Sequence, residues 1–495
     1  MLFNSYLFIF LFLPIVLLGY YLLGSRGHSR AAVYFLTVMS LGFYGYNSIS
    51  ALLILFVSIV VNYALVCLMQ KTRRTAKRRI YLIILLIWNI GLLFVYKYSS
   101  FFLENINLAF DTDFSPLQLL MPLGISFYTF QQISYGVDCY RKECKGYQFS
   151  DYLSYITFFP SISSGPIVYH SELIPQLQDP ERKKVLFTHL GQGLYAFSLG
   201  LAKKVLIADT LAKVVSVGYA NIPELNTFST ILVMLSYSLQ IYFDFSGYCD
   251  MALGISRMLN LDLPVNFNSP YKAVSITDFW DRWHMTLTRF FTKYVYIPLG
   301  GSRRGLPRTL LNVMIVFLVS GLWHGANWTF ILWGALHGLL NVLEKALRIK
   351  DRKIPVLLRR GFTFSFVTLA WSIFRAPSLS DSMALFGRLF SGGFSLYQPI
   401  RDKFMDVIEI SVLYRAGFGG LMESRPWLML TLFIVVLMAA CFTMKNTQEK
   451  MALFTFSPEK GSRRKMLWKC MVTAGLLFWS ILSLAEISEF LYFTF

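Results

Sequence analysis

The chain has 495 residues, 55% hydrophobic, 17% aromatic and 15% charged, with a formal net charge of +19. A soluble protein carries about 25% charged residues, and here apolar stretches long enough to cross a bilayer recur from end to end. That excludes a soluble globular enzyme, and because the Lys and Arg sit in short loops between apolar spans, the charge does not point to nucleic acid.

The N-terminus, MLFNSYLFIFLFLPIVLLGYYLLG, lacks a basic leader and a small-residue cleavage site, so it is expected to be a retained first span rather than a signal peptide. Spans are expected over Tyr6–Leu23, Ala31–Asn47, Ala51–Met69 and Ile80–Tyr98. The loops after the first and third hold Arg26 and Arg30, then Lys71, Arg73, Arg74, Lys77, Arg78 and Arg79. Both loops belong in the cytoplasm, and parity places the N-terminus outside. Leu117–Cys139 then returns to Arg141, Lys142 and Lys145. Next, TFFPSISSGPIVYH has basic flanks on both sides and Pro160, Gly165 and Pro166 in its middle. Such a segment cannot cross once; it reads as a re-entrant or surface-lying element whose broken backbone protein must cover.

Leu186–Tyr219 goes outward with Lys203, Lys204 and Asp209 inside it, which calls for a hydrated cavity or an internal ion pair. Ser229–Phe245 returns. From Arg257 to Arg308, basic residues interleave with Trp and Tyr, the pattern of amphipathic helices at the cytoplasmic interface. Leu310–Leu343 is apolar with basic charge at both ends, so it goes in and comes back, turning at HGAN, His324–Asn327. Phe362–Phe374 and Trp427–Thr443 cross next. Met466–Ala485 is the last span, leaving residues 486–495 as an aromatic tail outside. The expected architecture is one all-α polytopic membrane domain over residues 1–495, with about ten spans plus re-entrant and interfacial pieces (257–308).

The six cysteines include no CxxC pair, and with no HExxH and no close His/Cys cluster, metal is not expected. Of the six histidines, His28 reads as solvated and His170 and His189 as structural. His324 sits at the apex of the expected hairpin, and a neutral imidazole there can take a proton from a hydroxyl nucleophile. Trp323, Asn327 and Trp328 offer it indole walls and an amide. His337, beside Gly334 and Gly338, suits close helix packing as readily as a tunnel wall. His284 follows Asp281 by three residues, so a helix would let the carboxylate orient the ring; an interfacial ion-pair cluster with Arg282 is the alternative.

The strings DFWDRWHMTLTRFFTKYVYIPLGGSRRG and SGLWHGANWTFILWGALHGLL resemble the membrane-bound O-acyltransferase (MBOAT) family. They are most similar to its bacterial branch that includes the alginate O-acetylation membrane protein and the D-alanine exporter of teichoic-acid D-alanylation. PLGISFYTFQQISYGVDCYR, YITFFPSISSGPIV, QIYFDFSGYCDMALGISRMLN and WSIFRAPSLSDS carry the resemblance along most of the chain. It implies a ring of helices around a central tunnel, with His324 as the catalytic histidine and His284 as the second, on the cytoplasmic side. The C-terminal FLYFTF resembles an F-x-Y-x-x-F ending of this branch, which implies Tyr492 as an acyl relay; an aromatic interfacial anchor is the alternative.

The expected activity is acyl transfer, acetyl in the first place, from acetyl-CoA or another cytoplasmic thioester, with no bound cofactor. The expected setting is a bacterial cytoplasmic membrane with both termini outside. A separate extracytoplasmic acetyltransferase would then modify a polysaccharide. Lys272, Arg289, Lys293, Arg303 and Arg304 would attract an anionic donor or anionic membrane lipid. D-alanyl transfer to teichoic acid, or transport of a small molecule or lipid-linked saccharide using Lys203, Lys204 and Asp209, are the rival readings.

Overall fold

In a bilayer the backbone must satisfy its hydrogen bonds within the segment, so the apolar runs become helices. The computed structural model describes residues 1–117, 119–144, 146–349, 352–454, 460–484, 490 and 491, and among them the chain is helical with no β-strand. Six helices are both long and apolar enough to cross on their own: Phe8–Ser25, Ile49–Lys71, Thr75–Phe110, Thr227–Met258, Leu306–His324 and Pro426–Thr443. The remaining expected crossings are helices too, among them Ser29–Gly45, Phe187–Ala202 continuing through Asp209–Ala220, and Val356–Arg375, but they are shorter or carry more polar residues. The protein is therefore an all-α, multi-pass membrane protein. One boundary moves: the fourth expected span, Ile80–Tyr98, is part of a helix that continues from Thr75 to Phe110.

Two glycine pairs set the tightest crossing. Gly193 and Gly200 on one helix face Gly254 and Gly247 on the other, each pair seven residues apart. A Cβ on Gly193 would stand 2.4 Å from the Gly254 carbonyl oxygen, and one on Gly200 2.5 Å from that of Gly247. Without side chains the backbones touch, which is how apolar helices associate where no hydrophobic drive separates them from lipid.

The interior lysines are ion-paired. Lys203 meets Asp250 at 2.6 Å, and Lys204 meets Asp244 at 2.8 Å and Asp209 at 2.9 Å. These pairs account for the charges inside the span without a transport pathway. Both lysines sit in a π-helical segment, Lys203–Ala208, and Lys97 and Lys293 sit in two others, Phe94–Tyr98 and Thr292–Tyr296. The wider π turn often marks a functional site.

The segment from Thr157 to His170 is buried throughout, and its broken backbone is covered by protein. Phe159 N–H donates to Ser40 Oγ, Ile167 N–H to Thr286 Oγ1 and Tyr169 N–H to a Glu172 carboxylate oxygen, while the Ile167 carbonyl accepts from Arg289. Residues 257–308 differ from the expectation of helices lying on a surface. Only short helices form, Ile276–Trp280 and Met285–Phe291, and Phe279, Trp280, Trp283, Leu287, Phe290 and Phe291 are buried in the main core. All five of those aromatic rings pack against rings on helices from elsewhere in the chain, so burial overrides the amphipathic pattern.

Candidate active site

The site begins with a hairpin. Leu306–His324 and Trp328–Ala346 pack along each other, joined by Gly325–Asn327. Asn327 caps the second helix, its side chain accepting from Thr329 N–H at 3.0 Å. The arms meet backbone to backbone: a Cβ on Gly321 would lie 2.4 Å from Phe330 O, and one on Gly334 2.5 Å from Phe317 O. His324 is the last residue of the first arm, so the expected position at the hairpin tip holds.

The His324 ring is buried among Trp323, Trp333 and Phe374, at centroid distances of 4.8, 5.1 and 5.2 Å. One side of it opens on a cavity of about 520 Å³, whose wall also includes Lys97, Ser126, Phe127, Ser163 and Trp323. The helix ends here with carbonyls lacking intrahelical partners. Lys97 Nζ donates to the Trp323 carbonyl at 2.7 Å and the Tyr98 hydroxyl to that of Leu322 at 2.9 Å. Leu2, Asn47 and residues 120–124 complete the rim, all from segments that charge parity places outside.

A second cavity, about 510 Å³, is walled by Val265, Met285, Thr286, Arg289 and Lys293, from the basic side of the chain. His284 stands between the two. It is fully buried, its ring 6.2 Å from Trp323 and 6.5 Å from Phe127 on one side, and its chain neighbours Met285 and Thr286 line the second cavity on the other. Its Nδ1 lies 3.2 Å from Asn266 Oδ1. Arg289 and Lys293 are neutralised locally. Arg289 forms a two-pronged pair with Glu172, and Lys293 reaches Asp138 at 2.9 Å and Glu143 at 3.2 Å.

The other expected residues separate. Trp323 lines the first cavity beside His324. Asn327 acts as a helix cap and donates to Pro377 O at 2.8 Å. Trp328 is 52% exposed, its indole donating to Asn105. His337 is buried in an aromatic cage and accepts from Trp280 Nε1 at 3.2 Å, the packing alternative rather than a tunnel wall. Asp281 does not orient His284. The helix stops at Trp280, His284 takes a left-handed backbone (φ 45°) and the next helix starts at Met285, so the two residues never share a helical face. Asp281 is exposed and lines the second cavity instead. Tyr492 lies outside the described residues. No cluster of three His, Cys, Asp or Glu fit to hold a metal occurs among the described residues.

Two residues escape a sequence reading. Lys97 looks like the basic end of a span, and its signal is its isolation, since residues 99–110 carry no other Lys or Arg. Asn266 lies in an irregular loop eighteen residues before His284 and leaves no periodic trace.

Residues 38–380 match the membrane-bound O-acyltransferase family, MBOAT. A peptidoglycan O-acetyltransferase of Helicobacter pylori is 38% identical over 482 residues, covering 90% of each chain. A probable alginate O-acetylase of Pseudomonas aeruginosa is 34% identical, covering 90% of this chain and 82% of its own. A teichoic acid D-alanyltransferase of Bacillus subtilis is 29% identical over 52% of this chain and 70% of its own.

Proposed function

Because the chain belongs to the membrane-bound O-acyltransferase family, we propose that it takes an acetyl group from a cytoplasmic thioester and delivers it to a hydroxyl on the outer face, with His324 as general base. The observation that carries this reading is the placement of His324, with Trp323 and Phe127, on the wall of one cavity, while His284, whose ring neighbours both of those side chains, is followed directly by Met285 and Thr286 on the wall of a second. Donor and acceptor would approach from these two cavities and meet between them. The donor is acetyl-CoA or another acyl thioester. The membrane is the cytoplasmic membrane of a bacterium, with both termini outside.

The chemistry balances with these groups. The acceptor O–H gives its proton to the His324 ring as its oxygen bonds the acyl carbon. The tetrahedral intermediate then collapses, the C–S bond breaks, and the thiolate leaves with the proton that His324 returns. His284 lines the donor's path.

Tyr492 is proposed as the first acceptor, handing the acetyl group to a separate extracytoplasmic transferase that modifies a cell-surface polysaccharide. Support comes from the two described residues before it. Phe490 is buried edge-on against Tyr248 at 4.8 Å, and Leu491 N–H donates to Asp244 at 2.9 Å. The Tyr248 hydroxyl in turn bonds Ser163, a wall residue of the outer cavity. Acetyl is favoured over D-alanyl because the relatives named for O-acetylation match over 90% of the chain and the D-alanyltransferase over about half. The acceptor polymer is of the class their names give, peptidoglycan or alginate.

Purified protein in liposomes loaded on one side with acetyl-CoA tests the reading through thioester turnover and acetyl transfer. Loss of both in His324→Ala is expected, and unchanged transfer in that variant overturns the catalytic assignment. Normal transfer in Tyr492→Phe removes the relay alone.

A further inference from the structure

The outer cavity holds a cation that the reading above leaves without a role. We propose that Lys97 is a catalytic residue of the same site, the group that receives the negative charge developing on the acyl oxygen; the assignment rests on the reading of His324 as general base. An ammonium at membrane depth is costly unless it is paired or serves a function. Several other lysines inside the fold are provided for. Lys203, Lys204 and Lys293 each meet a carboxylate within 3 Å, and Lys183 gives hydrogen bonds to three main-chain carbonyls. Lys97 has neither arrangement. Among the described residues no carboxylate lies within 4 Å of it, and its one hydrogen bond goes to the Trp323 carbonyl.

That single bond fixes Nζ against the residue next to His324, and the ammonium also sits 5.7 Å from the Trp323 ring centroid. Lys97 and His324 line the same cavity. Lys97 sits in the π-helical turn Phe94–Tyr98, within the long helix Thr75–Phe110. As the hydroxyl oxygen bonds the acyl carbon and its proton passes to His324, the carbonyl electron pair moves onto the acyl oxygen. A cation already in place, in a site with little water, stabilises that oxygen with no reorganisation at the moment of reaction. When the C=O re-forms and the C–S bond breaks, the charge departs with the thiolate and is quenched by the proton from His324.

The test uses full-length protein in liposomes with acetyl-CoA, comparing Lys97→Met, Lys97→Arg and His324→Ala by kcat, KM and thermal midpoint. Lys97→Met is expected to lower kcat about 10²–10³-fold with KM changed by less than about threefold, and Lys97→Arg to restore at least about tenfold of that. A kcat within about fivefold of wild type in Lys97→Met overturns the proposal. So does a loss that Arg fails to restore and that tracks a lowered thermal midpoint, since that is the behaviour of a helix cap. Full transfer in His324→Ala would bring down the site reading and Lys97 with it. An inactive His324→Ala beside an active Lys97→Met brings down only the Lys97 assignment.

Discussion

Asn266 sets the tautomer of His284. Asn266 Oδ1 accepts from the Thr286 main-chain N–H at 3.2 Å and from its hydroxyl at 2.7 Å, which fixes that atom as the oxygen. His284 Nδ1, 3.2 Å from the same oxygen, must therefore be the protonated nitrogen, and in the neutral ring Nε2 keeps the lone pair. The ring is thus oriented by a loop amide, with Phe127 and Trp323 as its ring neighbours.

The backbone at His284 separates ring chemistry from fold. A left-handed conformation costs a residue with a Cβ about 1–2 kcal/mol and costs glycine nothing, and strain held at such a position is a reason to look for function. His284→Gly should match or exceed His284→Ala in thermal midpoint while both lose acyl transfer. Near-wild-type transfer by the Gly variant would mean that the bend matters and the imidazole does not.

The hairpin should tolerate no side chain at its crossing. With a Cβ on Gly321 or Gly334 only 2.4–2.5 Å from a facing carbonyl, the arms must part. Gly321→Ala and Gly334→Ala should each cost about 1–3 kcal/mol and reduce transfer by displacing His324. Gly91→Ala, a helical position with nothing within 4 Å, serves as the neutral control. Equal thermal midpoints by tryptophan fluorescence for all three would refute the close-packed hairpin.

The hairpin with His324 at its tip was legible because two physical signals agreed, apolar length and basic charge at both ends. Charge parity also marked residues 157–170 as unable to cross, and the buried, side-chain-satisfied backbone there is the reason they need not. The Asp281–His284 pairing failed because spacing assumes a continuous helix, whereas Trp280, Trp283 and the left-handed His284 break it to bury two indoles. Asn266 and Lys97 reach the site through a loop and a π turn, and neither has a period that a sequence displays.

Lys204 and Asp244 are both buried, and breaking such a pair from one side costs about 3–5 kcal/mol while replacing both members with apolar groups is close to neutral. Lys204→Met should therefore lower the thermal midpoint more than Lys204→Met combined with Asp244→Leu. Asp244→Leu alone should be milder, since Asp209 still pairs with Lys204 at 2.9 Å, although it removes the hydrogen bond that Leu491 N–H makes to Asp244. A double variant as unstable as Lys204→Met would show that the carboxylate, not the pair, supports the fold.

Trp323 walls the His324 cavity on its inner side, against Phe127 and His284. Its indole packs on Phe130 at 5.2 Å and Phe127 at 5.9 Å, with His324 on one side and His284 on the other. A site that moves an acyl group from a thioester to a hydroxyl must keep water from competing as the acceptor. Trp323→Ala removes the ring and enlarges the cavity beside His324, so thioester hydrolysis should rise relative to acetyl transfer, whereas Trp323→Phe keeps an aromatic wall and should stay coupled. The cost to stability, about 3–5 kcal/mol for Trp→Ala in a core, is controlled by comparing the two products in the same folded sample. Each transferred acetyl and each hydrolysed thioester is counted, so a loss of folded enzyme lowers both equally. A hydrolysis-to-transfer ratio in Trp323→Ala equal to that of wild type would mean that another element keeps water from the acyl group.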